Sequence, residues 1–295
     1  MKNTIFTGCG VATVTPMRPD GTVDLKKYAD FIDELIQNGT DAIIVNGTTG
    51  ESATLSEEEQ YNIICCAKDV IKRRVPLIAG AGSNNTHHAA KLALNARNAG
   101  ADAVLSVTPY YNKANENGII EHYNFITKWC KLPTIVYNVP SRTGVDIKPE
   151  TYLKLSENPC ICAVKEASGN VAKAERIISL CGDKINVYSG NDELTLPLLS
   201  IGAKGVISVA ANIVPKEMHE LCSLYFEGKY VEASRKQIML IPLIDALFSD
   251  VNPIPVKEAL TMLGKEFGPL RLPLCEMDID KKEKLRNILE SYEIL

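Results

Sequence analysis

The sequence predicts an α/β protein, a (β/α)8 TIM barrel followed by a small C-terminal helical domain, and two observations lead to this prediction. Eight short apolar runs recur along the first 209 residues, and the segments between them have helical periodicity. After the eighth run, only helical patterns remain. The runs lie at 10–14, 42–45, 76–79, 103–107, 134–137, 160–165, 186–189 and 205–209.

The intervals between the runs are long enough for a helix and two loops. Their centre-to-centre spacing is roughly 19 to 34 residues, which suits the crossover connection between parallel strands. In the first interval, apolar residues lie three or four apart from Leu25 to Ile36, after a cap at Asp24 and before Gly39. Ser56 and Glu59 have the spacing of a capping box ahead of the next helix. Each interval therefore predicts a strand followed by a helix.

Eight strand–helix units fit either a closed barrel or an open doubly wound sheet. Eight is the strand number of the barrel. An open nucleotide-binding sheet usually has Gly-x-Gly-x-x-Gly after its first strand, whereas the first run here is followed by TPM at 15–17. These two points favour the closed barrel.

The end of the chain predicts a separate, small helical domain. Helical patterns extend over 216–227, 229–248, 254–264 and 280–293, with prolines between them. We expect a catalytic barrel domain over 1–228 and a helical domain over 229–295.

Composition limits the class of protein and its partners. Lys and Arg total 32 against 36 Asp and Glu, and no basic block is present, so we expect no nucleic-acid partner. Nine cysteines lie mostly inside apolar runs, which favours a reducing cytoplasm. No stretch approaches 18 apolar residues, and 1–16 lacks an unbroken apolar core, so we expect neither a membrane span nor an export signal.

Lys165 is the sharpest candidate for chemistry, because barrel active sites lie at the carboxyl ends of the strands. Ile161, Ala163 and Lys165 alternate along the sixth run, so we expect them to share the face that lines the barrel. Desolvation there lowers the pKa of an amine, and a neutral amine can form a Schiff base with a ketone. The alternative is a lysine that extends to water or pairs with Glu166.

A turn after the second run is a candidate anion site. Gly47 and Gly50 flank Thr48 and Thr49, and the backbone N–H groups of such a turn can bind a carboxylate. No Gly-Lys-Ser/Thr follows, which disfavours a phosphate loop. The alternative is an ordinary βα turn without a ligand.

Two further side chains follow the fifth run. Tyr137 ends the run, where its phenol can relay a proton, and Arg142 has a guanidinium suited to a carboxylate. A buried core tyrosine and a solvated surface arginine are the alternatives. The sequence has no HExxH, CxxC or Gly-x-Ser-x-Gly pattern, so we expect neither a metal site nor a serine nucleophile.

Five segments together resemble the dihydrodipicolinate synthase family, within the pyruvate-dependent class I aldolases. The resemblance spans nearly the whole chain, in order. Relatives that act on N-acetylneuraminate or 2-keto-3-deoxygluconate share the turn, the tyrosine and the lysine, but the SRTG and NPIPVK segments favour the synthase. The segments are GTTGES at 47–52, TPYY at 108–111, YNVPSRTG at 137–144, VKEA at 164–167 and NPIPVK at 252–257.

The resemblance implies a reaction without a separate cofactor. Lys165 would form a Schiff base with pyruvate, and the resulting enamine would attack L-aspartate 4-semialdehyde to give 4-hydroxy-tetrahydrodipicolinate, in diaminopimelate and lysine biosynthesis. The assembly would be a homotetramer, built as a dimer of dimers. By the same resemblance, the proton relay would comprise Tyr137, Thr48 and Tyr111, the last reaching a neighbouring subunit, and the other contacts would be Thr49, Arg142, Gly190 and Ile207.

One part of the family pattern differs in this sequence. Family members that L-lysine inhibits bind it at a dimer interface, where Ser52, Ala53, Asn84 and Tyr110 match the pattern. The remaining positions hold Glu57 and Gln60 in place of histidines, and His88 in place of a glutamate. Without that glutamate, an ammonium group of lysine loses a charged acceptor, so we expect weak or absent inhibition.

Two other functions stay open from the sequence. One is a related aldolase that acts on a sugar acid. The other is a barrel that binds a small acid without catalysis, since fold does not fix function.

Overall fold

Eight parallel strands close into a barrel in a computed structural model, which describes residues 4–294. Each strand pairs with the next along the chain, and the eighth pairs with the first, as the sequence predicts. The strands are β1 Gly8–Ala12, β2 Ala42–Val45, β3 Leu77–Gly80, β4 Ala103–Val107, β5 Thr134–Asn138, β6 Ile161–Glu166, β7 Asn186–Ser189 and β8 Gly205–Ser208.

The helices follow the predicted alternation. The Asp24 carboxylate accepts a hydrogen bond from the Lys27 amide, and Ser56 with Glu59 forms the predicted capping box. Through the barrel the helices are α1 Leu25–Gln37, α2 Glu57–Ile71, α3 Thr86–Asn98, α4 Glu116–Cys130, α5 Pro140–Thr143, α6 Pro149–Leu155, α7 Val171–Cys181, α8 Thr195–Ser200 and α9 Pro215–Phe226. The last three are α10 Tyr230–Leu247, α11 Ile254–Met262 and α12 Ile279–Ser291.

Two apolar layers form the core, and both exclude water. The outer layer packs strand residues such as Val164 against the surrounding helices, and the inner layer fills the barrel. The ring of Phe6 stacks on Tyr188 with 4.3 Å between centroids and closes the amino-terminal end of the barrel. The stacked rings fill this end of the barrel interior, and the cavity described below opens at the carboxyl ends of the strands.

The prediction for the sixth strand is wrong at one residue. Ile161 was expected on the barrel interior with Ala163 and Lys165, but it packs in the outer layer. The register between β5 and β6 shifts there, because Thr134 pairs with Ile161 whereas Ile135 pairs with Ala163. This extra residue reverses the side-chain alternation, as a β-bulge does. The first strand also begins two residues earlier than the predicted 10–14.

The C-terminal helices lie beside the barrel and reach its carboxyl end. Helix α10 packs on α9 and α12, while Asn252 and Pro253, just before α11, line the cavity described below. The domain boundary at 228/229 stays a prediction. The outermost residues of the two predicted domains, 1–3 and 295, lie outside the described part. Between residues 4 and 294, none of the helices combines the length and the apolar character that crossing a bilayer requires.

Candidate active site

A cavity of about 720 Å³ opens at the carboxyl ends of the strands. It brings together six of the predicted reactive or substrate-binding residues, drawn from five separate segments at the strand ends. Such convergence is what the fold offers to catalysis, because each strand ends at the same rim. The six are Thr48, Thr49, Tyr137, Arg142, Lys165 and Gly190.

Lys165 lies on β6 and only 6% of its surface is exposed. The pKa of its amine is lowered to about 8, mainly by burial; the carboxylate of Asp192 opposes this change, and the guanidinium of Arg142 adds to it. The Nζ atom lies 4.4 Å from the centre of the Tyr137 ring. A substantial fraction of this amine is therefore neutral near physiological pH, which is the form that attacks a carbonyl group.

Tyr137 pairs with Lys165 across the β5–β6 ladder. Burial raises the pKa of its phenol to about 12, while the cation of Arg142 and a hydrogen bond with the Thr48 side chain act in the opposite direction. The phenol is therefore protonated and has a hydroxyl partner. Two hydroxyl groups in contact near an amine can pass a proton between them.

The turn after β2 is closed by its own backbone. The amides of Gly50 and Glu51 donate to the carbonyls of Gly47 and Thr48, at 3.1 and 3.0 Å. The backbone N–H groups of Thr48 and Thr49 make no hydrogen bond within residues 4–294. These two unpaired donors at the cavity wall suit a carboxylate ligand.

Arg142 lies on the short helix α5, where its guanidinium is exposed at the cavity rim. Its Nη2 donates to the backbone carbonyl of Asn252, 3.1 Å away. The Asn252 amide donates in turn to the hydroxyl of Thr49, at 3.1 Å. The sequence indicates Asn252 only as the first residue of the NPIPVK segment. No local pattern indicates that it joins two site residues 110 and 203 positions earlier.

Gly190 allows the chain after β7 to pass close to Lys165. A Cβ atom at this position would lie 3.1 Å from Cε of Lys165, 3.1 Å from the Glu166 carbonyl and 2.6 Å from Cβ of Ala167. Only glycine fits without displacing backbone atoms. Ile207, which was also expected near the lysine, packs in the barrel interior below the cavity rather than in its wall.

Asp192 is a buried carboxylate that the sequence analysis missed. It accepts hydrogen bonds from the amides of Val209 and Ala210, at 3.0 and 2.9 Å, and it raises the pKa of Lys165. Burial raises its own pKa. Asp192 lies three residues after the end of the seventh run, so its position just after a strand is the signal that could have indicated it.

Tyr111 is not in the cavity of its own chain. It lies in the loop after β4, with a positive φ of 68°, and 90% of its surface is exposed. Five residues at the family's effector positions, the four that match the pattern and His88, line the cavity on the side of α2 and α3. They are Ser52, Ala53, Asn84, His88 and Tyr110.

Metal ligands do not cluster in the part of the chain from residue 4 to residue 294. No group of three or more His, Cys, Asp and Glu side chains there has an arrangement that can hold an ion. The predicted reactive and substrate-binding side chains that line the cavity are an amine, a phenol, hydroxyls and a guanidinium.

A closed (β/α)8 barrel with these groups at the carboxyl ends of its strands defines the class of the protein, a TIM-barrel enzyme. The chain belongs to the dihydrodipicolinate synthetase family, whose model matches residues 5–292, and it is a lyase of that family.

Individual relatives agree with this assignment. The 4-hydroxy-tetrahydrodipicolinate synthase of Clostridium novyi (strain NT) is 50% identical over 98% of this chain and 97% of its own. A crystal structure of the Cyanidioschyzon merolae enzyme with lysine bound is 40% identical, with TM-score 0.96 and coverage of 99% of this chain and 100% of that one. The chloride-inhibited Acinetobacter baumannii enzyme, complexed with pyruvate, is 42% identical, with TM-score 0.95 and coverage of 99% and 100%.

Proposed function

We propose that the chain condenses pyruvate with L-aspartate 4-semialdehyde through a Schiff base on Lys165. The observation that carries the proposal is the buried amine at the end of β6, whose pKa is lowered to about 8. The names of the relatives, and the pyruvate complex of the A. baumannii enzyme, support the choice of substrates.

The proposed first half-reaction uses the amine and the turn. Neutral Nζ of Lys165 attacks the keto carbon of pyruvate, and the carbonyl oxygen leaves as water to give an iminium ion. The unpaired amides of Thr48 and Thr49, with the Thr49 hydroxyl, hold the pyruvate carboxylate. Tyr137 and Thr48 accept and return the protons of these steps. Tyr111 of a neighbouring subunit completes this proton relay.

In the second half-reaction, the iminium ion acts as an electron sink. The pyruvate methyl group loses a proton, and the resulting enamine carbon bonds to the aldehyde carbon of the second substrate. Arg142, exposed at the rim, holds the carboxylate of that substrate. The substrate's own amino group then displaces the Lys165 nitrogen, which closes the ring and releases 4-hydroxy-tetrahydrodipicolinate. No separate cofactor enters this scheme.

A product assay tests this proposal against its nearest alternative. The purified chain is expected to consume pyruvate with L-aspartate 4-semialdehyde and to leave N-acetylneuraminate and 2-keto-3-deoxygluconate uncleaved. Lys165→Ala should remove the activity, whereas the chain should stay folded by circular dichroism. Cleavage of either sugar acid at a comparable rate would overturn the assignment of the substrate.

We further propose that the working assembly is a homotetramer, a dimer of dimers, in the cytoplasm. Two exposed aromatic side chains, Tyr110 and Tyr111, mark one candidate interface, and the exposed side chains of Ile238 and Met239 on α10 mark another. Exposed apolar side chains of this size are typical of surfaces that a second chain covers. Buried thiols such as Cys9 suit a reducing compartment.

We also propose that L-lysine inhibits this chain weakly or not at all, unlike a family member that binds it. His88 lies 3.5 Å from the Glu57 carboxylate, and Lys91 lies 2.8 Å from the same group. The Glu57 carboxylate is thus already paired, and the basic groups beside it disfavour a dibasic ligand. Steady-state rates at millimolar L-lysine test this, and strong inhibition would contradict it.

A further inference from the structure

The C-terminal helices hold the turn after β2 through a buried ion pair. Nζ of Lys257, on α11, lies 2.7 Å from Oε1 of Glu51, the residue that follows the turn. Only 2% of the surface of Lys257 and 4% of the surface of Glu51 is exposed. The other carboxylate oxygen of Glu51 accepts the backbone N–H of Arg271, at 2.9 Å. Both oxygens are thus held by groups more than 200 positions later in the chain.

Glu51 has a backbone conformation that needs such support. Its backbone φ is 56°, in the left-handed region that residues other than glycine, asparagine and aspartate rarely adopt. Its amide closes the turn on the carbonyl of Thr48, at 3.0 Å. A strained residue persists where its surroundings determine its position, and such residues concentrate at functional sites.

Two more contacts bind the same turn to the same region. The Asn252 amide donates to the Thr49 hydroxyl at 3.1 Å, and the Arg271 guanidinium donates to the Thr54 carbonyl at 2.7 Å. Nζ of Lys257 is itself fixed by the Pro269 carbonyl, at 2.7 Å. The turn that carries Thr48 and Thr49, and the segment directly after it, are therefore held at Thr49, Glu51 and Thr54 by residues outside the barrel.

A buried ion pair is a poor way to gain stability, because apolar residues of the same size often stabilise a protein as well or better. The charged groups instead constrain geometry, because the Glu51 carboxylate must accept hydrogen bonds from two donors at fixed positions. This points to a demand on the geometry of the turn rather than on the stability of the fold.

We propose that the Glu51–Lys257 ion pair is a positioning device for pyruvate: it holds the turn so that the Thr48 and Thr49 amides and the Thr48 hydroxyl keep their places beside Lys165. The proposal rests on the proposed function of that turn. It makes the C-terminal helical region part of the machinery of the active site, although none of its charged groups reacts.

The test removes both charges together, so that no unpaired charge is left buried. In Glu51→Gln/Lys257→Met, glutamine keeps the length of the glutamate side chain, and methionine is an uncharged chain one atom shorter than lysine. Leu260→Ala, which removes a fully buried side chain of the same helix, is the matched control for general loosening of α11. Should the double variant fail to fold by circular dichroism, Glu51→Gln/Lys257→Gln, which also leaves no charge buried, takes its place.

The readout is the pyruvate concentration that half-saturates borohydride trapping of the chain, which does not involve the second substrate. We expect the double variant to need roughly tenfold more pyruvate, because misplacing a positioning group by about 1 Å has effects of this size or larger. Lys257→Arg, which keeps a cation opposite Glu51, should raise the half-saturating concentration less than the double variant does. Leu260→Ala should lower the melting temperature and leave the half-saturating concentration within about twofold.

The outcomes separate the two proposals. A folded double variant with the half-saturating concentration of the parent chain overturns the positioning role alone. An equal rise in the Leu260→Ala control also overturns it, because any loosening of the helix would then suffice. Failure of the parent chain to trap pyruvate overturns the proposed function, and the positioning role with it.

Discussion

The pKa of Lys165 reflects burial first and then two charged neighbours. Burial and the Arg142 guanidinium lower it, while the buried carboxylate of Asp192 raises it. The Tyr137 ring 4.4 Å away favours the charged form, but burial has the larger effect. The balance leaves an amine that titrates close to physiological pH, which suits both steps of Schiff-base chemistry.

The first prediction concerns the pH dependence of trapping. Since only the neutral amine attacks, the initial rate of pyruvate trapping should rise with pH, with its midpoint near 8, before it levels off. In Arg142→Gln the nearby cation is absent, so the midpoint should move to higher pH. Stopped-quench mass spectrometry measures these rates. A midpoint close to the ordinary lysine value of 10.5 would contradict the effect of burial.

The second prediction concerns the space beside the lysine. Gly190→Ala should slow trapping at Lys165 and cost about 1 to 3 kcal/mol of stability, because the added Cβ meets the Glu166 carbonyl and Cβ of Ala167. Gly118→Ala, in helix α4 and away from the cavity, is the matched control. Trapping and urea unfolding measure the two effects, and parental trapping by Gly190→Ala would show that the glycine is dispensable.

At the scale of elements, the strands and most helices follow from periodicity in the sequence. The four C-terminal helical ranges differ from the observed helices by no more than two residues at either end. Short helices such as α5 and α6 were not predicted, because four or seven residues are too few to show a helical period. The bulge that moves Ile161 outward depends on pairing between strands, which periodicity within one strand does not contain.

In the candidate site, too, some features follow from local sequence and others depend on contacts between distant positions. The residues that directly follow strands could be found from the sequence, because the barrel fold fixes where strand ends point. The contacts of Asn252 and Lys257 with the turn join positions more than 200 residues apart, so no local pattern contains them. The exposure of Tyr111 is consistent with a role in a neighbouring subunit, but a single chain cannot complete that site.

The third prediction concerns the packing of α3 on α4. His122 is buried, its Nδ1 pairs with the Thr86 hydroxyl, and burial lowers its pKa from 6.5 to about 4. Between these two values the unfolded chain binds a proton that the folded chain does not, so the free energy of unfolding falls as the pH drops from 6.5 towards 4.

The size of this effect is up to about 3 kcal/mol, and it should be absent above pH 6.5. Urea unfolding at pH 7 and pH 5 measures it as the difference between the parent chain and His122→Gln, which does not titrate. If both chains lose the same stability between these pH values, His122 is not the group responsible.

At the scale of the whole molecule, the barrel supplies the reactive groups and the C-terminal helices fix the turn that faces them. The site is still incomplete within one chain if Tyr111 acts in a neighbouring subunit. The assembly is then a condition for activity rather than an addition to it.

The fourth prediction follows from this shared site. Lys165→Ala and Tyr111→Phe should each be nearly inactive alone, but a reassembled mixture should regain activity in about a quarter of its sites, those that pair an intact lysine with an intact tyrosine. The activity of the mixed chains is compared with unmixed chains treated identically. No recovery, with exchange of subunits verified by native mass spectrometry, would place Tyr111 outside the partner's site.

The most direct test of the chemistry is to identify the atom that pyruvate modifies. The chain is incubated with isotope-labelled pyruvate, reduced with borohydride and digested, and the modified peptide is sequenced by mass spectrometry. We predict one reduced adduct per chain, on Lys165, and none in Lys165→Ala. Catalytic turnover with Lys165 unmodified, or an adduct on another lysine, would contradict the proposed mechanism.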